Sequence, residues 1–222
     1  LLSNIMLDCF DKQLERRGHK FCRYADDSNI YVKSQRAGER VMKSITKYFE
    51  DTLKLKVNRE KSAVDRPGKM KFLGFSFYHR KGGVGIRVHE KPVMKFKLKI
   101  KEITSRSNAM SMTQRITKLN QAVIGWVNYF GIADMRNKVT ELDEWVRRRL
   151  RMCHWKQWKK IKTKHDNLVK LGIEDNKAWE FANTRKGYWR IYNSQILNTT
   201  LNNQYLEKLG YLSLTKRYSL VH

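Results

Sequence analysis

Phe21-Cys22-Arg23-Tyr24-Ala25-Asp26-Asp27-Ser28-Asn29-Ile30-Tyr31-Val32 is the stretch that decides how this chain is read. Two runs rich in aromatic and β-branched residues, 21–24 and 29–32, flank a polar pair, which predicts a β-hairpin with acids at its tip. Adjacent carboxylates raise each other's pKa, a cost that a divalent cation removes. An exposed acidic turn is the plain alternative, because Asp suits turns. The flanking strands, Tyr24 and the surrounding positive charge favour a metal site. Asp26 and Asp27 are then candidate ligands of Mg²⁺, of the kind that activates a 3′-hydroxyl and stabilises departing pyrophosphate in nucleotidyl transfer.

The surroundings of the hairpin are strongly basic. Of 222 residues, 47 are Lys or Arg and 21 are Asp or Glu, a formal charge of +26. Self-repulsion on that scale calls for a polyanionic partner, and nucleic acid is the obvious one. Hydrophobic residues at 41% are enough for a core, and only two prolines point to a mostly helical chain. No apolar run approaches the roughly 18 residues of a membrane span, and Leu1-Leu2-Ser3-Asn4 does not read as a signal peptide. Cys9, Cys22 and Cys153 are scattered, neither a disulfide framework nor a metal pair, which suits a reducing compartment. The start at Leu1, without an initiator Met, is read as the edge of a fragment.

Working outward, apolar residues at Leu2, Ile5, Met6, Cys9, Phe10 and Leu14 predict a helix over 1–17, stopped by Gly18. Val41, Ile45, Tyr48, Phe49 and Leu53 predict a second, capped by Ser34. Leu55–Val57 and Lys71–Tyr78 read as short strands, and Gly82-Gly83-Val84-Gly85 as a turn into Ile86–Val88. Residues 1–90 are thus α+β. Beyond them, Met94 to Lys101 alternates like a strand, but Val93, Phe96, Ile100 and Ile103 behind Pro92 favour a helix. Ser111 and Gln114 form a capping box ahead of Ile116, Leu119, Val123, Val127 and Phe130, with Gly131 as the stop. Val139, Leu142, Val146, Leu150 and Cys153 mark a further helix. Residues 91–172 are expected as a helical bundle. Residues 173–222 are expected as a docked basic aromatic extension, with Trp179, Tyr188, Trp189 and Tyr192 around Arg185-Lys186-Gly187 and a last helix near 201–209.

Between Arg147 and Lys164 lie nine cations and no acid: Arg147, Arg148, Arg149, Arg151, Lys156, Lys159, Lys160, Lys162 and Lys164. They are candidate phosphate contacts, with Trp155 and Trp158 interleaved for stacking. A solvated helix face with its Trp residues in the core is the alternative. Lys95, Lys97, Lys99 and Lys101 form a second basic stretch. Trp126 and Trp145 are expected in the core. Asp8 and Asp11 read as solvated helix acids. His154 and His165 lack the spacing of a zinc site, and no phosphate-binding Gly loop appears.

Taken in order, these motifs resemble the reverse transcriptases of group II introns. Tyr24-Ala25-Asp26-Asp27 looks like their catalytic hairpin, and Leu1-Leu2-Ser3-Asn4-Ile5 resembles the segment just after the template-positioning loop. Leu55-Lys56-Val57-Asn58-Arg59-Glu60-Lys61-Ser62 is similar to the next palm motif, and Phe72-Leu73-Gly74-Phe75 to the primer-grip turn. Ile124-Gly125-Trp126-Val127-Asn128-Tyr129-Phe130 resembles the maturase-specific, or thumb, domain. Arg185-Lys186-Gly187-Tyr188-Trp189 resembles the tail of bacterial members without an endonuclease domain.

The resemblance implies part of a palm over 1–90, a thumb over 91–172 and a tail over 173–222. Asp26 and Asp27 would be metal ligands, Asp26 the more direct. Lys61 would protonate the departing pyrophosphate, or be a surface lysine. Phe72, Leu73 and Gly74 would hold the primer terminus, although the apolar pair could be core. Tyr24 would pack beneath the primer end, or simply within the hairpin. A third carboxylate and basic fingers match nothing in 1–222, so polymerase activity of this stretch alone is not expected. The whole protein is expected to copy RNA into DNA with two Mg²⁺ ions and dNTPs on an RNA template and DNA primer. It is further expected to bind its intron RNA in splicing and mobility, in the bacterial cytoplasm. The alternatives are a catalytically dead remnant serving only as an RNA-binding splicing cofactor, and a general RNA-packaging protein, which has no use for an acidic hairpin.

Overall fold

The computed structural model describes residues 2–222, apart from the side chains of residues 188 and 189. The chain divides into two compact units, Leu1–Gly85 and Ile86–His222. Together they are α+β, with two small antiparallel sheets among many helices. None of the described helices is long and apolar enough to cross a membrane.

In the first unit, α1 (Leu2–Arg16) leads into β1 (Lys20–Tyr24) and β2 (Asp27–Tyr31), followed by α2 (Gln35–Asp51). Leu7, Phe10 and Leu14, spaced by three and four, form one buried stripe on α1. They pack with Phe21 and Ile30 of the hairpin and with Ile45, Tyr48, Phe49 and Leu53 of α2. Gly18, at φ +69, ends α1 as expected, and Ser34 Oγ caps α2 by accepting from the Ala37 amide at 3.2 Å.

Two expected strands in this unit are corrected. Leu55–Val57 is not a strand. The Leu55 amide donates back to the Phe49 carbonyl at 2.9 Å and its side chain joins the α1 core, so it finishes α2. Lys71–Tyr78 becomes a strand only at β3 (Phe75–Arg80). Before it, Phe72 and Phe75 exchange backbone hydrogen bonds of 3.0 and 2.9 Å across Leu73 and Gly74, at φ +51 and +84. Positive φ at both central residues is the signature of a type I′ turn. β3 pairs with β4 (Gly83–Val88), the strand in which the first unit gives way to the second.

The second unit is helical: α3 (Glu90–Ile103), α4 (Met112–Phe130), α5 (Arg136–Gln157), α6 (Ile161–Lys170), α7 (Asp175–Ala182), α8 (Tyr188–Ile191), α9 (Gln195–Thr200), α10 (Asn203–Lys208) and α11 (Leu214–Val221). The alternating 94–101 stretch is helix because Phe96, Ile100 and Ile103 share its buried face. Leu119, Val123 and Val127 of α4 and Val139, Leu142, Val146 and Leu150 of α5 are likewise fully buried. The Ser111–Gln114 capping box is present at the start of α4. A second apolar cluster joins Trp155, Trp158 and Leu168 to Ala178, Ile191, Ile196, Leu197 and Leu201. The 173–222 segment thus builds part of the core and belongs to the same compact unit.

One buried acid ties the end of the chain to α5. The fully buried Asp143 carboxylate accepts from Tyr211 Oη at 2.8 Å, the Leu214 amide at 2.9 Å, Ser213 Oγ at 2.8 Å and Thr215 Oγ1 at 3.3 Å. It is also ion-paired with Arg147 one turn further along α5. An anion at the first turn of α11 is well placed for the helix dipole. Burial and the neighbouring Asp143 charge hold the Tyr211 phenol well above its usual pKa, so it remains a donor.

Candidate functional site

The β1–β2 hairpin has the register Lys20↔Tyr31, Phe21↔Ile30, Cys22↔Asn29, Arg23↔Ser28 and Tyr24↔Asp27. This leaves Ala25 and Asp26 as a two-residue loop. The loop closes only because Ala25 adopts φ +54, a left-handed conformation that costs an L-residue about 1–2 kcal/mol. Asp26 and Asp27 are both exposed, and neither carboxylate has a hydrogen-bond or ion-pair partner among the described residues. Two adjacent acids left unpaired in a chain of 47 cations present a ready site for a cation.

The donor set fits Mg²⁺ in one respect. That ion is commonly held by one or two carboxylates, with water and substrate phosphates completing its shell. Among the described residues no group of three or more His, Cys, Asp or Glu side chains could hold a metal; the hairpin contributes a pair of carboxylates.

Behind the tip stands an ion pair that the sequence did not reveal. Arg23 brackets Asp11 with hydrogen bonds of 2.8 and 3.0 Å from Nε and 2.6 Å from Nη2. Its Nη1 donates to Asn4 Oδ1 at 3.0 Å and to the Ala25 carbonyl at 2.8 Å. Asp11 is therefore not a solvated acid: it is three-quarters covered and paired. Asp8 does lie in solvent, paired with Lys12 one turn away.

The remaining palm candidates lie elsewhere in the first unit. Tyr24 is 65% exposed at the hairpin tip. Lys61 is exposed on a loop, where its amide closes a turn on Asn58 Oδ1 at 3.2 Å. Phe72, Leu73 and Gly74 form the type I′ turn and are half-buried. None of these side chains hydrogen-bonds to Asp26 or Asp27.

The nine-cation run is not one surface. Arg149 and Arg151 are buried. Arg149 donates to Thr104 Oγ1 and, at 3.3 Å, to the Thr104 carbonyl, and Arg151 donates to the Leu201 carbonyl at 2.9 Å. These two guanidiniums hold the bundle together and are withdrawn from solvent. Arg147 serves Asp143, Arg148 reaches Glu144 at 4.0 Å, and Lys156 donates to the Arg106 carbonyl. Lys164 lies 4.8 Å over the Trp155 ring, and burial lowers its pKa. Trp155 and Trp158 are core, not stacking platforms.

Lys159, Lys160 and Lys162, around the start of α6, are exposed and unpaired among the described residues. On α3, Lys97 is engaged with Glu141 and Trp145 and Lys99 with Glu102, while Lys95 and Lys101 remain exposed. Trp126 is half-buried, packed between Phe96 and Phe130. The aromatic tail motif at 185–189 includes Tyr188 and Trp189, whose side chains lie outside the described residues.

Comparison with known families now bears on this geometry. The profile of the reverse transcriptase (RNA-dependent DNA polymerase) family matches residues 1–77, which contain the acidic hairpin. The profile of the group II intron maturase-specific domain matches residues 93–172, which contain α4 to α6. The two matches follow one another along the chain without overlap. The chain belongs to the group II intron reverse transcriptase and maturase family. Family membership implies binding to intron RNA, and reverse transcriptases generally use a divalent metal. No curated protein matches the chain.

Proposed function

We propose that this chain supplies the carboxylate hairpin of an RNA-directed DNA polymerase and the RNA-holding helices of the maturase that accompanies it. The observation that carries the polymerase reading is the exposed, unpaired Asp26–Asp27 pair on a hairpin whose backbone is held from behind. When bound, Mg²⁺ would supply the charge that activates a primer 3′-hydroxyl and stabilises leaving pyrophosphate. Asp26 and Asp27 would hold it, with Tyr24 beneath the primer end, Phe72–Gly74 along the primer and Lys61 as a proton donor to pyrophosphate. An RNA template, a DNA primer and dNTPs are the partners of this reaction, which also needs a third carboxylate. Lys159, Lys160 and Lys162, with Lys95 and Lys101, would contact intron RNA phosphates in splicing and mobility. A bacterial cytoplasm is the proposed location, the scattered Cys9, Cys22 and Cys153 suiting a reducing compartment.

Two measurements test this. Asp26→Ala, in a protein carrying the complete palm, should abolish primer extension and leave RNA binding within twofold. Undiminished extension would remove Asp26 from the metal site. Challenged with excess unrelated structured RNA, the chain should retain intron RNA, and ready displacement would make it a general RNA binder. Tight intron binding by a complete palm without nucleotide incorporation would favour the splicing-cofactor reading.

A further inference from the structure

Arg23 joins the helix behind the hairpin to the backbone at its tip. Asp11 takes Nε and Nη2, and Asn4 takes Nη1. These two residues stand two turns apart on α1 and so share a face. A planar guanidinium fixed along one edge in this way has its remaining direction set. That direction is the Ala25 carbonyl, 2.8 Å away, immediately before Asp26. Ala25 is also the residue held at φ +54. Arg23 is only 12% exposed along its side chain, so water competes weakly for these bonds.

We propose that Arg23 is a positioning residue for the acidic hairpin: clamped by Asp11 and Asn4, it pins the Ala25 carbonyl and so sets the backbone that presents Asp26 and Asp27 before a divalent cation arrives. Ligands fixed in advance lose less conformational freedom on binding, which raises affinity without adding a contact. Lysine cannot take this place, because one ammonium lacks the planar fork that holds Asp11 and reaches Ala25 together. The proposal rests on Asp26 and Asp27 being the metal-binding pair, and the test separates the two ideas.

The experiment titrates Mn²⁺ into the ¹⁵N-labelled 222-residue chain and follows paramagnetic broadening of the Asp26, Asp27 and Ser28 amides. Arg23→Lys and Asp11→Asn should each raise the half-broadening concentration about fivefold or more. Arg17→Lys is the control, since it loosens a different tie, the 2.8 Å bond from the residue just after α1 to Ser44 Oγ on α2. It should leave the midpoint unchanged. Asp26→Asn should abolish site-specific broadening. Should Arg23→Lys lose its dispersed spectrum, Asp11→Asn, which keeps shape and one acceptor oxygen, decides the matter. Unchanged midpoints in the Arg23 and Asp11 variants, with Asp26→Asn silent, overturn the positioning role and leave the metal reading standing. An equal shift in Arg17→Lys also overturns it, as general loosening. Broadening in Asp26→Asn that matches the parent overturns the metal reading itself.

Discussion

Asp143→Ala should be the most damaging single substitution in the helical unit. The change removes an acceptor for Tyr211 Oη, Ser213 Oγ, the Leu214 amide and Thr215 Oγ1, and leaves the Arg147 charge without its partner. Each buried donor left unpaired costs about 1–3 kcal/mol, and breaking a buried ion pair costs about 3–5 kcal/mol. The two figures overlap, because Ser213 Oγ keeps Thr215 Oγ1 as a partner at 2.6 Å and Arg147 can swing into solvent. A loss of about 4 kcal/mol is expected. At about 2–4 °C per kcal/mol for a chain of this size, the midpoint should fall by about 10 °C. The assay is thermal unfolding followed by circular dichroism, with a urea titration to show that the slope is unchanged. Asp143→Asn keeps shape and one acceptor oxygen and should cost about half as much. Tyr211→Phe should cost less in the Asp143→Ala background than alone, since its acceptor is already gone. A midpoint within about 2 °C of the parent for Asp143→Ala would refute the argument that this carboxylate holds α11 in place.

Two histidines should give the chain opposite pH dependences. Burial pushes His154 down to about 4 from 6.5, so the unfolded chain takes the proton first and stability falls as pH drops through that interval, by roughly 3 kcal/mol in full. His154→Phe should flatten that acid limb in melts between pH 4 and 7. His165, between Asp166 at 3.0 Å and Asp175 at 2.8 Å, has its pKa raised, chiefly by the Asp166 hydrogen bond. Its contribution is complete below the unfolded value and is lost as pH rises through the raised one, so amide protection factors in α6 and α7, corrected for intrinsic exchange, should fall as pH rises, and that pH dependence should disappear in His165→Gln. Replacing Lys159, Lys160 and Lys162 by Ala should lower the slope of log affinity for RNA against log salt by up to about two units, whereas Arg151→Ala, which removes the buried bond to the Leu201 carbonyl, should lower the unfolding midpoint and leave the slope unchanged. Gly85→Ala puts a Cβ 2.5 Å from the Tyr78 ring and should cost about 1–3 kcal/mol by urea unfolding.

The elements with local signals were readable from the residues. α4 carries its capping box and its apolar spacing within twenty positions, and the hairpin carries its strands and tip within twelve. α3 was ambiguous, because Lys alternating with Phe, Leu and Ile fits either period, and only Pro92 tipped it. Features whose cause is non-local were missed. Arg149 and Arg151 read as surface because they sit among cations. Yet Leu150, Met152, Cys153 and Trp155 fill the intervening faces, and a helix apolar on every side is buried together with its charges. Asp143 offers nothing but an i,i+4 partner, since its other partners lie about seventy residues away. The Arg23–Asp11 pair was equally hidden, each residue having an ordinary local reading. Val57 is a strand former, but Leu55 two residues before it packs on the core of α1, an override of local propensity by packing. Ser213 carries a local signal too, as the N-cap of α11, its Oγ accepting from the Lys216 amide at 3.4 Å.

The latch on Asp143 also sets an order of events during synthesis. The core cluster around α1 in the first unit is complete by position 55, so it can form while the rest of the chain is still being made. The helical unit cannot. Its central helix is finished at Gln157, but the side chains that cover α5 from the far side, Tyr211, Leu214 and Tyr218, are among the last to be made. At about 5–20 residues per second, α4 and α5 wait seconds with an apolar flank open and a carboxylate unspent. A nascent chain stalled before Tyr211 is therefore a half-built bundle carrying a large positive charge, attractive to any RNA nearby and to any protease.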